Sequence, residues 1–151
     1  MTDMRTVLLL IVFTAACWAS STFGTWKMDA TRSTFTGGAQ PKSFTLRIEP
    51  HSKGEVFTVE KVESDGRATS SSNILYFDGA PRDLQDFDCV GAQSSRRLDS
   101  RTVEIRRKCA SGDGTWLIRQ SKEQSKELHI DITEKRRGGP NLEWRVVLEK
   151  Q

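Results

Sequence analysis

Short stretches in which apolar and polar residues alternate, each closed by turn residues, recur about every ten to fifteen positions along most of this chain. In KSFTLRIEP, Phe44, Leu46 and Ile48 fall on one face, with Thr45, Arg47 and Glu49 on the other. Period two is blurred in GEVFTVEKV, but Val56, Phe57, Val59 and Val62 are strand formers, and the Asp65-Gly66 pair that follows is a strong hairpin signal. ATSSSNILYFDG starts polar, turns apolar from Ile74 through Tyr76 to Phe77, and ends at Asp78-Gly79. The pattern lapses from Arg82 to Gly91, a connection or a short edge strand. It resumes in AQSSRRL and TVEIRRKC, the latter with Ile105, on either side of the three-residue loop DSR. GTWLIRQSK (Trp116, Ile118), ELHIDIT (Leu128, Ile130, Ile132) and LEWRVVLEK (Leu142, Trp144, Val146, Leu148) complete the series.

After the first 21 residues no helical period persists for ten positions, which argues against a βαβ layout. The expectation is an all-β protein of about eight to ten antiparallel strands. Such a meander must hide its edges. Closure into an up-and-down β-barrel does this directly, whereas a sandwich needs longer crossovers between sheets.

The N-terminus has the layout of a secretory signal. Arg5 precedes the apolar run VLLLIVFTAACWA, and the small residues Ala19, Ser20 and Ser21 follow. The run from Val7 to Ala19 is shorter than the ~18 to 20 residues a membrane-spanning helix needs. Residues 1–21 are therefore expected to be a signal peptide and residues 22–151 one barrel domain, secreted or periplasmic. A competing site, TAAC from Thr14 to Cys17, resembles a bacterial lipoprotein box without its usual aliphatic first residue. The net charge of +3 survives cleavage, which removes one acid and one base, and is too close to neutral to mark a polyanion binder. No nucleic-acid partner is expected, and a monomer is.

Removal of Cys17 leaves Cys89 and Cys109, an even number suited to an oxidising compartment. If Leu98 faces Thr102 across DSR, paired numbers add to about 200 and the two cysteines fall within one step of each other, which favours a disulfide over two buried thiols. Neither cysteine has a nearby His or C-x-x-C spacing, so no metal site is expected.

The run GTWKMDATRSTF, Gly24 to Phe35, carries a resemblance. Gly24-Thr25-Trp26 followed by a strand resembles the Gly-x-Trp opening of lipocalins and fatty-acid-binding proteins. The longer run is similar to small exported bacterial lipocalin-like proteins, calycin-type barrels that open with GTWK. The resemblance implies a structural motif of Gly24, Trp26 and Arg145, with the last packing over the indole. The lipocalin Thr-Asp-Tyr motif is missing, and the residues from Asp29 to Lys42 form a loop too short for the two-helix lid of fatty-acid-binding proteins.

Chemistry is sparse. His51 sits in the turn-like EPHSKGE, and His129 alternates with Leu128 and Ile130, which points it outward near Asp131. Asp83, Asp86 and Asp88 lack the Gly and terminal Glu of a calcium loop and form a solvated connection. Neither a nucleophile elbow nor a phosphate loop is present, so no catalytic residue, enzyme activity or cofactor is expected. The leading function is a barrel that binds a small hydrophobic or amphipathic ligand inside, walled by Phe44, Leu46, Ile48, Tyr76, Ile105, Trp116, Ile118, Ile130 and Trp144. The alternatives are a packed barrel serving as an envelope interaction module and, third, a hydrolase or isomerase with a polar site at the barrel mouth. The basic hairpin with Arg96, Arg97, Arg101, Arg106, Arg107 and Lys108 suggests peripheral contact with an anionic envelope surface.

Overall fold

The computed structural model describes residues 22–121, 123 and 126–151. The expected signal peptide, residues 1–21, and the lipoprotein-like box at Cys17 lie outside the described residues. Eleven strands are found within them: β1 (Gly24–Met28), β2 (Thr34–Thr36), β3 (Ser43–His51), β4 (Gly54–Val62), β5 (Ala68–Leu75), β6 (Arg82–Gln85), β7 (Val90–Asp99), β8 (Thr102–Cys109), β9 (Gly112–Gln120), β10 (Glu127–Arg136) and β11 (Leu142–Lys150). All pairings are antiparallel, and ten strands form one curled path, β5-β4-β3-β1-β11-β10-β9-β8-β7-β6. The first strand thus lies between the third and the last, with Trp26 opposite Leu46 on one side and Lys150 on the other.

The strand count exceeds the expected range because of β2. This three-residue strand lies within the stretch expected to be loop and pairs with β11, setting Phe35 opposite Trp144. Three residues are too few for a period to show.

The path ends at β5 and β6, and no ladder joins them. Side chains and single bonds cross the seam instead. Ser71 donates its hydroxyl to Asp86 at 2.5 Å, and Ser95 receives the backbone N–H of Phe77 on its hydroxyl and that of Gly79 on its carbonyl.

The inward faces of β1, β3 and β8–β11 supply one core, including Trp26, Phe44, Leu46, Ile105, Ile130 and Leu148, all nearly inaccessible. Register extends the same face to β5 and β7, where it becomes polar. Phe57 pairs with Asn73 and Val59 with Ser71, while Ile105 pairs with Ser95 and Val103 with Arg97. One half of the interior is therefore greasy and the other carries hydrogen-bonding groups.

Trp26 is wholly buried, and its indole N–H donates to the Thr22 carbonyl at 2.8 Å. Gly24 has φ +131°, a conformation that other residues rarely adopt, and a β-carbon there would lie 3.1 Å from the Lys150 side chain. The expected Arg145–Trp26 contact does not form. Trp144 and Val146 point inward, so Arg145 takes the outward phase, with 81% of its side chain exposed and Asp131 4.0 Å away. A cation does lie over the indole, but it is Lys150, whose Nζ is 5.5 Å from the ring centroid.

Cys89 and Cys109 form a disulfide, their Cα atoms 5.1 Å apart. The pairs Gly91–Cys109, Ser95–Ile105 and Arg97–Val103 hold the expected register. At the turn, a bulge between Arg97 and Asp99 brings Asp99 rather than Leu98 opposite Thr102.

Candidate ligand-binding cavity

The connections β2–β3, β4–β5, β6–β7, β8–β9 and β10–β11 all gather at one end of the barrel, around a cavity of about 550 Å³. Its apolar wall is Phe44, Trp116, Ile132, Leu142 and Trp144, all inward residues of their strands. Phe44 and Trp116 lie with ring centroids 6.2 Å apart. Trp144 is held edge-on by Phe35, centroids 4.9 Å apart at 79°, and this contact is what β2 contributes. The loop after β2 folds over the rim at Gly37, whose φ is +80° and where a β-carbon would collide with the Asn141 carbonyl oxygen.

Polar groups reach into this wall. Trp116 and Trp144 are each 8% exposed, and neither indole Nε1 has a hydrogen-bond partner among the described residues. A buried donor left unmade costs about 1–3 kcal/mol, and both nitrogens lie within the wall itself, inaccessible from the cavity. Beside them Arg107 takes the inward phase shared by Val103 and Ile105. Its guanidinium carbon is 5.1 Å from the Trp116 ring centroid, and its Nε donates to Gln93 Oε1 at 2.9 Å. Burial lowers the Arg107 pKa against the opposing pull of Asp86 and Glu134, yet an arginine remains cationic at neutral pH. Asp86 shows the reverse balance. Burial pushes its carboxyl up, but the Ser71 hydroxyl, the Asp88 N–H and Arg107 outweigh this and leave it below its ordinary value. Around the cavity stand five basic residues, Lys61, Arg67, Arg107, Arg136 and Arg137, against the acids Glu63, Asp88 and Glu134, an excess that favours an anion.

Of the nine residues expected to wall a ligand, Phe44, Trp116 and Trp144 line this cavity. Leu46, Ile48, Ile105, Ile118 and Ile130 point inward but belong to the packed core beyond it. Tyr76 is a correction: Leu75 takes the inward position, and Tyr76 lies instead under the Arg82 guanidinium, 3.7 Å away, beside a second pocket of about 270 Å³ at the seam. Arg107, Gln93 and Asp86 were not anticipated. Strand phase could have found Arg107, two residues after Ile105, but a run of Arg and Lys hid it.

Elsewhere, His129 pairs with Glu127 at 2.6 Å rather than with Asp131, and Glu127 also takes both guanidinium nitrogens of Arg32 at 2.9 Å. The Arg32 guanidinium holds Glu127 below the usual carboxylate range against the opposing effect of burial, with a lesser pull from His129. Arg119 occupies Asp131, at 2.6 Å. The three acids expected in a solvated connection are not all free, since Asp86 binds Ser71 and Asp88 binds Lys61 at 3.1 Å. The basic hairpin is largely spent within the fold: Arg96 and Arg106 both clasp Glu104 at 2.9 Å, Arg97 reaches buried Glu55 at 2.7 Å, and Arg107 turns inward.

No protein-family model and no curated protein sequence matches this chain. Solved structures do. The fluorescent protein UnaG superposes with a TM-score of 0.57 at 14% identity, covering 88% of this chain and 99% of that one. A Schistosoma mansoni fatty acid binding protein in complex with arachidonic acid gives 0.56 at 9% identity, covering 88% and 98%. The zebrafish ileal bile acid-binding protein complexed with cholic acid gives 0.52 at 11%, covering 87% and 99%. The fold is an antiparallel β-barrel like those of these proteins.

Proposed function

We propose that this protein is a non-enzymatic barrel that binds a small amphipathic molecule at its open end. The apolar part lies against Phe44, Trp116, Ile132, Leu142 and Trp144, and an anionic group faces Arg107. The observation that carries this reading is the half-buried Arg107 guanidinium, set beside the Trp116 ring on a cavity walled by five apolar side chains. Its volume lies within the ~300–1,000 Å³ of small-molecule sites. The fatty acid and bile acid in two similar barrels support the ligand class. The Cys89–Cys109 bond supports a site of action in an oxidising compartment after export.

Two of the four tryptophans line the cavity, so intrinsic fluorescence tests the proposal directly. Titration with fatty acids, bile acids, retinoids and porphyrins is expected to give saturable quenching by at least one member. Carboxylates should bind about tenfold or more tightly than their methyl esters, the loss expected when a hydrogen bond to a charged group is removed. Arg107→Gln, which keeps a hydrogen-bonding side chain but lacks the charge, should narrow that ratio. No quenching across the panel, with no copurified molecule in native mass spectrometry, would leave the packed interaction module as the better reading.

A further inference from the structure

The β6–β7 turn and the first residue of β7, together Asp86 to Val90, carry two of the three exposed large hydrophobics found among the described residues. Phe87 is 63% and Val90 60% exposed, while the third, Leu98, lies at the opposite end of β7. The anchoring of this turn explains their display. Asp86 is bound to Ser71, Asp88 to Lys61, and Cys89 is tied to Cys109. With the residues between them held toward the barrel, Phe87 and Val90 are left facing out at the lip of the cavity. The Arg67 guanidinium covers part of the Phe87 ring, 4.9 Å from its centroid.

Charge at this end is uneven. Glu63 and Asp88 are met by Lys61, and Glu134 by Arg136. Lys42, Arg67, Lys108 and Arg137 are exposed, and no ion pair to them occurs among the described residues. Of the nearby acids, Asp65 receives the Arg67 backbone N–H and Asp113 stands opposite Lys108 and Lys135 in the ladders.

We propose that the open end of the barrel docks on bilayers carrying anionic phospholipid headgroups, with Phe87 and Val90 entering the boundary between headgroups and acyl chains. Two apolar tips are too little for a stable protein interface, which buries about 1,000 Å² or more. They suit a membrane surface, where shallow apolar insertion and basic residues act together and neither suffices alone. Each cation near such a surface contributes about fivefold in affinity, within a Debye length. The cavity mouth would then face the lipid, so an amphipathic guest could pass between membrane and barrel with little exposure to water. The docking does not depend on the cavity being occupied.

Flotation with phosphatidylcholine vesicles, with and without about 30% phosphatidylglycerol, tests this. Binding is expected to the anionic vesicles only and to be lost in ~0.5 M salt. Phe87→Ser with Val90→Ser should weaken it about tenfold or more, and Leu98→Ser should not. Because both residues are exposed, the double variant should keep its thermal stability and its quenching by soluble ligands. Absence of binding to anionic vesicles, or equal binding by the double variant, overturns the proposal. So does self-association in sedimentation that the double variant abolishes, since the face would then belong to a second copy. If vesicles bind but no ligand quenches, only the cavity reading fails.

Discussion

Trp26 and the two cavity tryptophans do different work. Trp26 is enclosed, and its N–H is answered by the Thr22 carbonyl, so its contribution is to stability. Trp26→Ala should cost ~3 to 5 kcal/mol in denaturant unfolding, as truncation of a buried aromatic does. Arg145→Ala should change stability by less than ~0.5 kcal/mol, because the side chain lies in solvent on the outer face. The two effects should add in a double-mutant cycle, since the residues do not touch. A coupling above ~1 kcal/mol would mean that the guanidinium reaches the indole in solution.

The β6–β7 turn is the element in which sequence pattern and structure part most clearly. The alternation that locates β3, β8, β9, β10 and β11 fails between Arg82 and Gly91 because side chains there serve contacts across the seam rather than one face of a ladder. Asp86 and Asp88 look solvated in the sequence for the same reason, since their partners Ser71 and Lys61 are far away in the chain. β2 and the outward Tyr76 were illegible on other grounds, one being too short to show a period and the other lying beyond the end of its strand. The turn should respond to acid. The folded pKa of Asp86 lies below the unfolded value of about 3.9, so its stabilisation is complete above that value and lost as pH falls through the folded pKa. Amide exchange of residues 86–90 should therefore accelerate below about pH 4, relative to the core strands. Asp86→Asn should exchange faster already at neutral pH and lose that acid dependence.

For the molecule as a whole, the disulfide closes a chain segment with a sequence separation of 20. Cys89→Ser with Cys109→Ser should lower unfolding stability by about 3 kcal/mol, with the far-ultraviolet spectrum of a β protein retained. Loss of that spectrum would show that the bond is needed for the fold itself.

The seam between β5 and β6 sets the mechanics of this molecule. Around the rest of the wall, circumference is fixed by backbone ladders, and widening it means breaking rows of hydrogen bonds together. At the seam the girth rests on a few separate contacts, among them Ser71 with Asp86 and Ser95 with Phe77 and Gly79. Strain from an oversized guest would concentrate there, and the barrel would part like a cuff at its fastening while the woven wall stayed whole.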